Sequence, residues 1–163
     1  EEVDWISMRT LGVISDTHGV VRPDVSAVFR AVDGIVHAGD VGVDSVLDEL
    51  AALAPLTAVK GNTDTHGRAA GLAAVQILEW AGLSIAVVHD LSRFDVERDA
   101  GPGVSVVVFG HSHRAEVTWR GGRVFFNPGS AGPRRFGLPN TVGLLTVDAR
   151  GMPHPEVVEL GRV

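Results

Sequence analysis

The chain has 163 residues, no cysteine, and a net charge of −6 from 14 basic and 20 acidic side chains. An apolar fraction of 45% over that length supports one domain with a sizeable core and argues against disorder. The missing thiols exclude disulfides and thiolate metal sites, and the acidic balance without a basic run argues against dedicated nucleic-acid binding.

No apolar stretch reaches the length of a membrane span and no basic-then-apolar leader is visible, so a cytoplasmic protein with no membrane partner is expected. Met8 stands just before the first apolar run. Residues 8–163 therefore read as a single domain, with Glu1 to Ser7 set aside as an N-terminal extension.

Leu11-Gly12-Val13-Ile14 predicts a buried strand. It closes in Ser15-Asp16-Thr17-His18-Gly19, where extended backbone would turn Asp16 and His18 to the same side. An oxygen and a nitrogen aimed at one point suit a divalent first-row metal. Val25, Val28, Phe29 and Val32 recur at helical spacing behind Asp24, a suitable N-cap. Asp33-Gly34 ends that helix, and Ile35 to Ala38 reads as a strand leading into Gly39-Asp40. Val43 to Leu53 predicts a second helix, with Val46, Leu47, Leu50 and Leu53 on one face and Pro55 as its stop. Leu56 to Val59 is a third strand, ending in Lys60-Gly61-Asn62-Thr63-Asp64. This β-α-β-α-β order implies parallel strands, whose carboxyl ends collect polar side chains along one edge.

The second half reads as hairpins. Ala74–Trp80 and Leu83–His89 flank Ala81-Gly82, and Ala115–Arg120 and Arg123–Phe126 flank Gly121-Gly122. Between them lie a short polar helix over Leu91 to Asp99 and an apolar strand, Val104 to Phe109, closed by Gly110-His111-Ser112-His113. Asn127-Pro128-Gly129-Ser130 is a turn, Pro133 to Pro139 an arginine-bearing loop, and Thr141–Val147 and Glu156–Leu160 are the last strands. Two sheets flanked by helices are expected.

Seven candidate ligands stand at predicted strand ends: Asp16, His18, Asp40, Asn62, His89, His111 and His113. Counting Asp40 twice gives four donors for each of two cations, enough to clamp a phosphoryl group and activate a water. Loops are polar in general, but that alone predicts no ordered set of Asp, His and Asn.

Asp16-x-His18, Gly39-Asp40, Gly61-Asn62-x-Asp64, His89 and Gly110-His111-x-His113, in this order, resemble the calcineurin-like metallophosphoesterase family. The turn at Asn127 and the downstream Pro133-Arg134 are similar to its small bacterial and archaeal phosphodiesterase branch. The resemblance runs from Leu11 to about Val147 and implies a four-layer α/β fold, two mixed sheets sandwiched between helices. It places Asp16, His18 and His113 on one metal and Asn62, His89 and His111 on the other, with Asp40 bridging. Two divalent ions are implied, manganese foremost, with iron, zinc or nickel as alternatives. The implied reaction is in-line attack on phosphorus by a metal-activated hydroxide.

Two positions depart from the family pattern. Larger members carry a histidine acid directly after the asparagine, where this chain has Thr63. His66 is the expected substitute, which puts the catalytic roles on Asp40, Asn62 and His66. Asp90 stands where a glycine is usual. Substrate contact is expected from Asn62 and Arg134, with Arg135 as its neighbour. His37 is expected to hydrogen-bond behind the ligands, and Asp64 to orient the Asn62 loop or to cap the next segment. His154, between two prolines, is expected to be exposed.

The partner is then a small phosphate ester, most simply a diester. A phosphomonoesterase or nucleotidase using the same site is the first alternative. A non-catalytic scaffold like the related retromer subunit is the second, although that lineage has lost ligands that are all present here. A homodimer is compatible with the sequence, and nothing in it requires one.

Overall fold

The first sheet is built around β1 (Arg9–Ile14), which pairs in parallel with β2 (Gly34–His37) and antiparallel with β9 (Thr141–Val147). A computed structural model describes residues 8–161, so the expected extension Glu1 to Ser7 lies outside the described residues. Strand β3 (Leu56–Ala58) continues the parallel side, and β10 (Pro153–Glu159) closes the antiparallel edge, giving the order β10-β9-β1-β2-β3. The second sheet comprises β4 (Val75–Trp80), β5 (Leu83–Val88), β6 (Val104–Val108), β7 (Glu116–Arg120) and β8 (Arg123–Asn127), in the order β4-β5-β6-β8-β7. Both sheets are mixed: β5, β6 and β8 run parallel, and the two hairpins are antiparallel. Ala81 and Gly82 both have positive φ, at 48° and 82°, as the tight turn between β4 and β5 demands.

Alternation along the strands sorts the apolar side chains into three layers of packing. Leu11, Val13, Val36 and Leu145 face Ile85, Val87, Val106, Val108 and Phe126 between the sheets. On the far side of the first sheet, α1 (Pro23–Val28) and α2 (Asp44–Ala51) bury Val25, Val46, Leu47 and Leu50 against Ile14 and Ile35. On the far side of the second, Ala86, Val88, Val107 and Phe109 are covered by Leu91, Phe94, Val96 and Ala100. This is the expected four-layer α/β sandwich. Among the described residues, no helix is long and apolar enough to cross a membrane.

Local corrections have local causes. Helix α1 starts at Pro23, whose fixed φ and missing N–H suit the first helical position. Asp24 therefore lies inside the helix rather than capping it, and its carboxylate accepts from the Gly161 N–H at 2.6 Å. Helix α2 ends at Ala51, so Leu53, expected on its buried face, is exposed. The expected helix over Leu91–Asp99 is split into a 3-10 turn, Leu91–Arg93, and one helical turn, α3 (Val96–Asp99). Asp90 and Asp95 each accept a backbone N–H at the start of these turns, so each restarts the chain. Strand β10 starts three residues earlier than expected, because an edge strand tolerates Pro153 and Pro155.

Candidate metal centre

All seven candidate ligands come together at the carboxyl ends of β1, β2, β3, β5 and β6, from two sheets at once. The local geometry differs from the extended arrangement expected for Asp16 and His18. Asp16 and His18 have φ of 55° and 46°, and Asp40, His111 and His113 have 57°, 73° and 62°. Side-chain-bearing residues rarely adopt this left-handed region, and it concentrates at functional sites. Each loop curls tightly off its strand instead of running on, and that curl turns the ligands inward.

The space for it is left by glycine. A Cβ on Gly61 would strike the carboxylate and backbone nitrogen of Asp40, and one on Gly110 would strike the Ser15 hydroxyl and approach Asp16 Oδ2 at 2.7 Å. Asp64 ties the same loops together. Its Oδ2 accepts from the N–H groups of Gly61 and Val41 at 2.8 and 3.2 Å, and its Oδ1 from Gly42 at 3.1 Å. Asp64 therefore orients the Asn62 loop and the Asp40 loop together. His37 is fully buried; its Nδ1 accepts from Gly39 N–H at 3.0 Å, so the neutral ring donates from Nε2 to Thr17 Oγ1 at 2.9 Å. Thr17 passes the chain on to Val41 O at 2.8 Å. Burial pushes the His37 pKa down to about 4, which keeps that tautomer neutral.

The donor atoms fall into two overlapping sets, with Asp16 Oδ1 3.3 Å from His113 Nε2 and 3.9 Å from His89 Nε2 and so bordering both. In the first, Asp16 Oδ1 is 3.3 Å from His113 Nε2, and His18 Nε2 is 3.4 Å from His113 Nε2 and 3.8 Å from Asp40 Oδ2. In the second, His89 Nε2 is 3.3 Å from Asp40 Oδ2, 3.0 Å from Asn62 Oδ1 and 3.3 Å from His111 Nδ1. His111 Nδ1 also stands 3.2 Å from Asn62 Oδ1. Donors bound at about 2.1 Å to one ion lie roughly 3.0–3.4 Å apart, so the shorter separations are already those of a ligand shell.

Two observations show that a cation fits. Asp16 Oδ1 is buried and has no hydrogen-bond partner, whereas Oδ2 accepts from Ser15 Oγ at 2.7 Å and from His111 N–H at 3.2 Å. A buried unpaired carboxylate oxygen is costly unless a positive charge faces it. His89 donates from Nδ1 to Ala38 O at 2.8 Å, which leaves Nε2 facing the Asp40 and Asn62 oxygens. The oxygens favour a positive charge at that point, carried by a proton on Nε2 or by a cation in its place.

The titration behaviour agrees. Burial raises the Asp16 pKa, with Ser15, His89 and His113 only partly offsetting it. Burial also works against the Asp40 carboxylate, but hydrogen bonds from His89 and the Thr63 N–H outweigh it and hold Asp40 well below the usual range. Burial opposes a charged His89 too, yet Asp40 and Asp16 outweigh it and raise its pKa. His18 is lowered by burial, with the Arg135 charge adding to the effect against Asp40 and Asp16.

Other expected residues lie elsewhere. His66 is exposed, with its Nδ1 2.8 Å from Thr65 Oγ1, and among the described residues it bonds to no member of the cluster. Arg134 lines a small cavity with Arg22, Asn140 and Glu159, while its neighbour Arg135 is the arginine whose charge reaches His18. His154 is exposed and pairs with Asp148 at 2.8 Å. The turn at Asn127, which the resemblance sets near the metal edge, shapes the site: Asn127 Nδ2 donates to Gly110 O and Ser112 Oγ, both at 3.1 Å, and so braces the His111–His113 turn. The role of Ser15, whose hydroxyl donates to Asp16 Oδ2, has no signal in the sequence beyond its place next to Asp16.

Residues 8–150 match the family model of the calcineurin-like phosphoesterase superfamily domain. The chain belongs to this superfamily. Two archaeal relatives are named probable metallophosphoesterases. One, from Methanocaldococcus jannaschii, is 34% identical over 85% of this chain and 76% of its own length. The other, from Methanothermobacter thermautotrophicus, is 29% identical over 93% of this chain and 92% of its own. The same fold appears in wild-type Vps29 from Entamoeba histolytica complexed with Zn2+. That structure is 23% identical, with a TM-score of 0.67 over 92% of this chain and 98% of that one. As a calcineurin-like phosphoesterase, the chain belongs to a hydrolase family that works with divalent metal.

Proposed function

We propose that this metallophosphoesterase hydrolyses small phosphodiesters with two divalent cations, manganese first among them. Asp16, His18 and His113 would hold one, Asn62, His89 and His111 the other, with Asp40 shared. The observation that carries this reading is the position of Asp40 Oδ2, 3.8 Å from His18 Nε2 and 3.3 Å from His89 Nε2, in reach of both donor sets. When bound, the cations supply Lewis acidity, neutralising the phosphoryl charge and acidifying a water.

The protein's own groups do the positioning. Asn62 is exposed and turns Oδ1 towards His89 and His111, which leaves its amide N–H groups to donate to a substrate oxygen. His111 is exposed as well, so the site opens to solvent. Thr63 contributes its backbone N–H to Asp40 at 2.9 Å and brings no side-chain acid of suitable pKa, which favours esters whose leaving group needs no proton.

A monoesterase would use the same groups. A scaffold role is favoured by the likeness of fold to Vps29, and opposed by the full set of ligand types at all seven positions. Elemental analysis of protein purified without chelator, followed by a panel of metals against bis(4-nitrophenyl) phosphate and 4-nitrophenyl phosphate, tests the proposal. We expect bound transition metal and faster turnover of the diester. Preference for the monoester would move the reading to a phosphomonoesterase, and no turnover with any metal would favour the scaffold.

A further inference from the structure

We infer that the groove beside His89 and His111 is the subsite for the organic group of the ester, and that it selects a flat aromatic group. The inference rests on the phosphoester reading and adds a substrate class to it. The groove has a volume of about 390 Å³, within the range of small-ligand sites. Asn62, His89 and His111 belong to its lining, so a phosphate held by the second donor set would have its ester substituent in or beside the groove.

The rest of the lining differs in character. Ala74, Val75, Val88 and Phe94 supply an apolar slot. Phe94 is half-buried at the end of the 3-10 turn, with its N–H bonded to Leu91 O at 3.2 Å, and packs on the outer face of the second sheet. A β-branched wall and an aromatic ring suit another ring, through edge-to-face or offset contact, better than a methyl or a hydrated polyol. Lys60 and Arg93 also line the groove, both exposed, placing positive charge beside an anionic ester on a chain whose net charge is −6. Asp90, where the family usually has glycine, also lines the groove, 3.6 Å from Arg93, and its charge offsets part of that of the arginine.

Calorimetric titration of the manganese-loaded full chain with phenylphosphonate and methylphosphonate isolates the subsite, because the carbon–phosphorus bond of either is not an ester. Phenylphosphonate is expected to bind about tenfold more tightly, the scale set by burying one ring face. Phe94→Ala should collapse that ratio towards unity. Ala74→Phe, an exposed position that fills the slot without emptying the core, should do the same. Equal binding of the two ligands by the wild type overturns the subsite and leaves the phosphate site standing. Binding of neither overturns the phosphoester reading and the subsite with it. Loss of the ratio in Phe136→Ala but not in Phe94→Ala would put the ring on the His113 side instead, where Phe136 stands 6.0 Å from the imidazole, and would sink this inference.

Discussion

Asp64 Oδ2 accepts a 2.8 Å hydrogen bond from the backbone N–H of Gly61. Through this contact the loop presenting Asn62 is fixed to the same carboxylate that holds Val41 and Gly42, beside Asp40. Asp64→Ala leaves three N–H groups short of their acceptor and should cost about 3 kcal/mol in urea denaturation. Its affinity for Mn2+ should fall by roughly ten- to a hundredfold, as when a metal ligand loses its supporting partner. Calorimetric titration checks the second figure; an unchanged affinity would mean the loops hold their places without the carboxylate.

Asp16 gives a prediction of opposite sign for the metal-free and metal-loaded protein. Its Oδ1 is buried without a hydrogen-bond partner and burial raises its pKa, so the ionised carboxylate destabilises the chelator-treated fold as pH rises through the raised pKa. Asp16→Asn should therefore melt no lower than the wild type in EDTA at neutral pH. Manganese at a hundredfold excess over its dissociation constant should stabilise the wild type by about 2.7 kcal/mol, several degrees in Tm, and the variant far less. Thermal scans with and without metal give both numbers.

Gly61→Ala tests the close approach behind Asp40. The new methyl meets the Asp40 backbone nitrogen as well as its carboxylate, and backbone cannot swing aside. Overpacking of this kind costs about 1–3 kcal/mol, and here the strain is relieved by moving a ligand. Metal content after dialysis should drop even in protein that remains folded. Retention of full metal content would show that the loop adjusts.

His37 predicts a pH dependence. Its pKa is pushed down to about 4 by burial, against about 6.5 in an unfolded chain. Between these values the unfolded chain binds a proton that the native ring does not. Stability should be complete above pH 6.5 and decline as pH falls towards 4, by roughly 3 kcal/mol in all. His37→Gln removes the titration, so chelator-treated variant and wild type should differ in the slope of stability against pH across that window. Parallel slopes would show that the ring accepts its proton in place.

Thr63→His tests the missing acid. The backbone N–H to Asp40 survives the change, and the position is exposed beside Asn62, so an imidazole there is expected to reach a leaving alkoxide. Turnover of alkyl diesters should rise about 10²-fold or more, with little change for nitrophenyl esters. His66→Ala in the same assay reads what that imidazole contributes. A loss confined to alkyl esters would identify it as the acid, and no loss would leave that role vacant.

The layered fold and the gathering of the candidate ligands were legible because both rest on residue type at strand ends. Leu11 to Ile14, Val104 to Val108 and the polar tips after them need only local pattern. How Asp16 and His18 converge was not legible: alternation along extended backbone implies a shared face, whereas both residues adopt left-handed φ. That conformation is imposed by neighbours remote in sequence, such as Gly42 packed on Gly19 and Gly132 on Thr17. The groove was invisible for a different reason. Val75, Val88 and Phe94 carry the same apolar signal as core residues, and only the fold decides which wall faces space.

Left-handed backbone at Asp16, His18, Asp40, His111 and His113 has an evolutionary corollary. Glycine, and to a lesser degree asparagine, would occupy these five positions with less torsional penalty than the residues found there. In a lineage released from selection for metal binding, drift to those two residues would be tolerated and even stabilising. Asp and His at these positions carry a conformational cost that glycine would not, and glycine there would be an early mark of a descendant that has kept the shape and abandoned the chemistry.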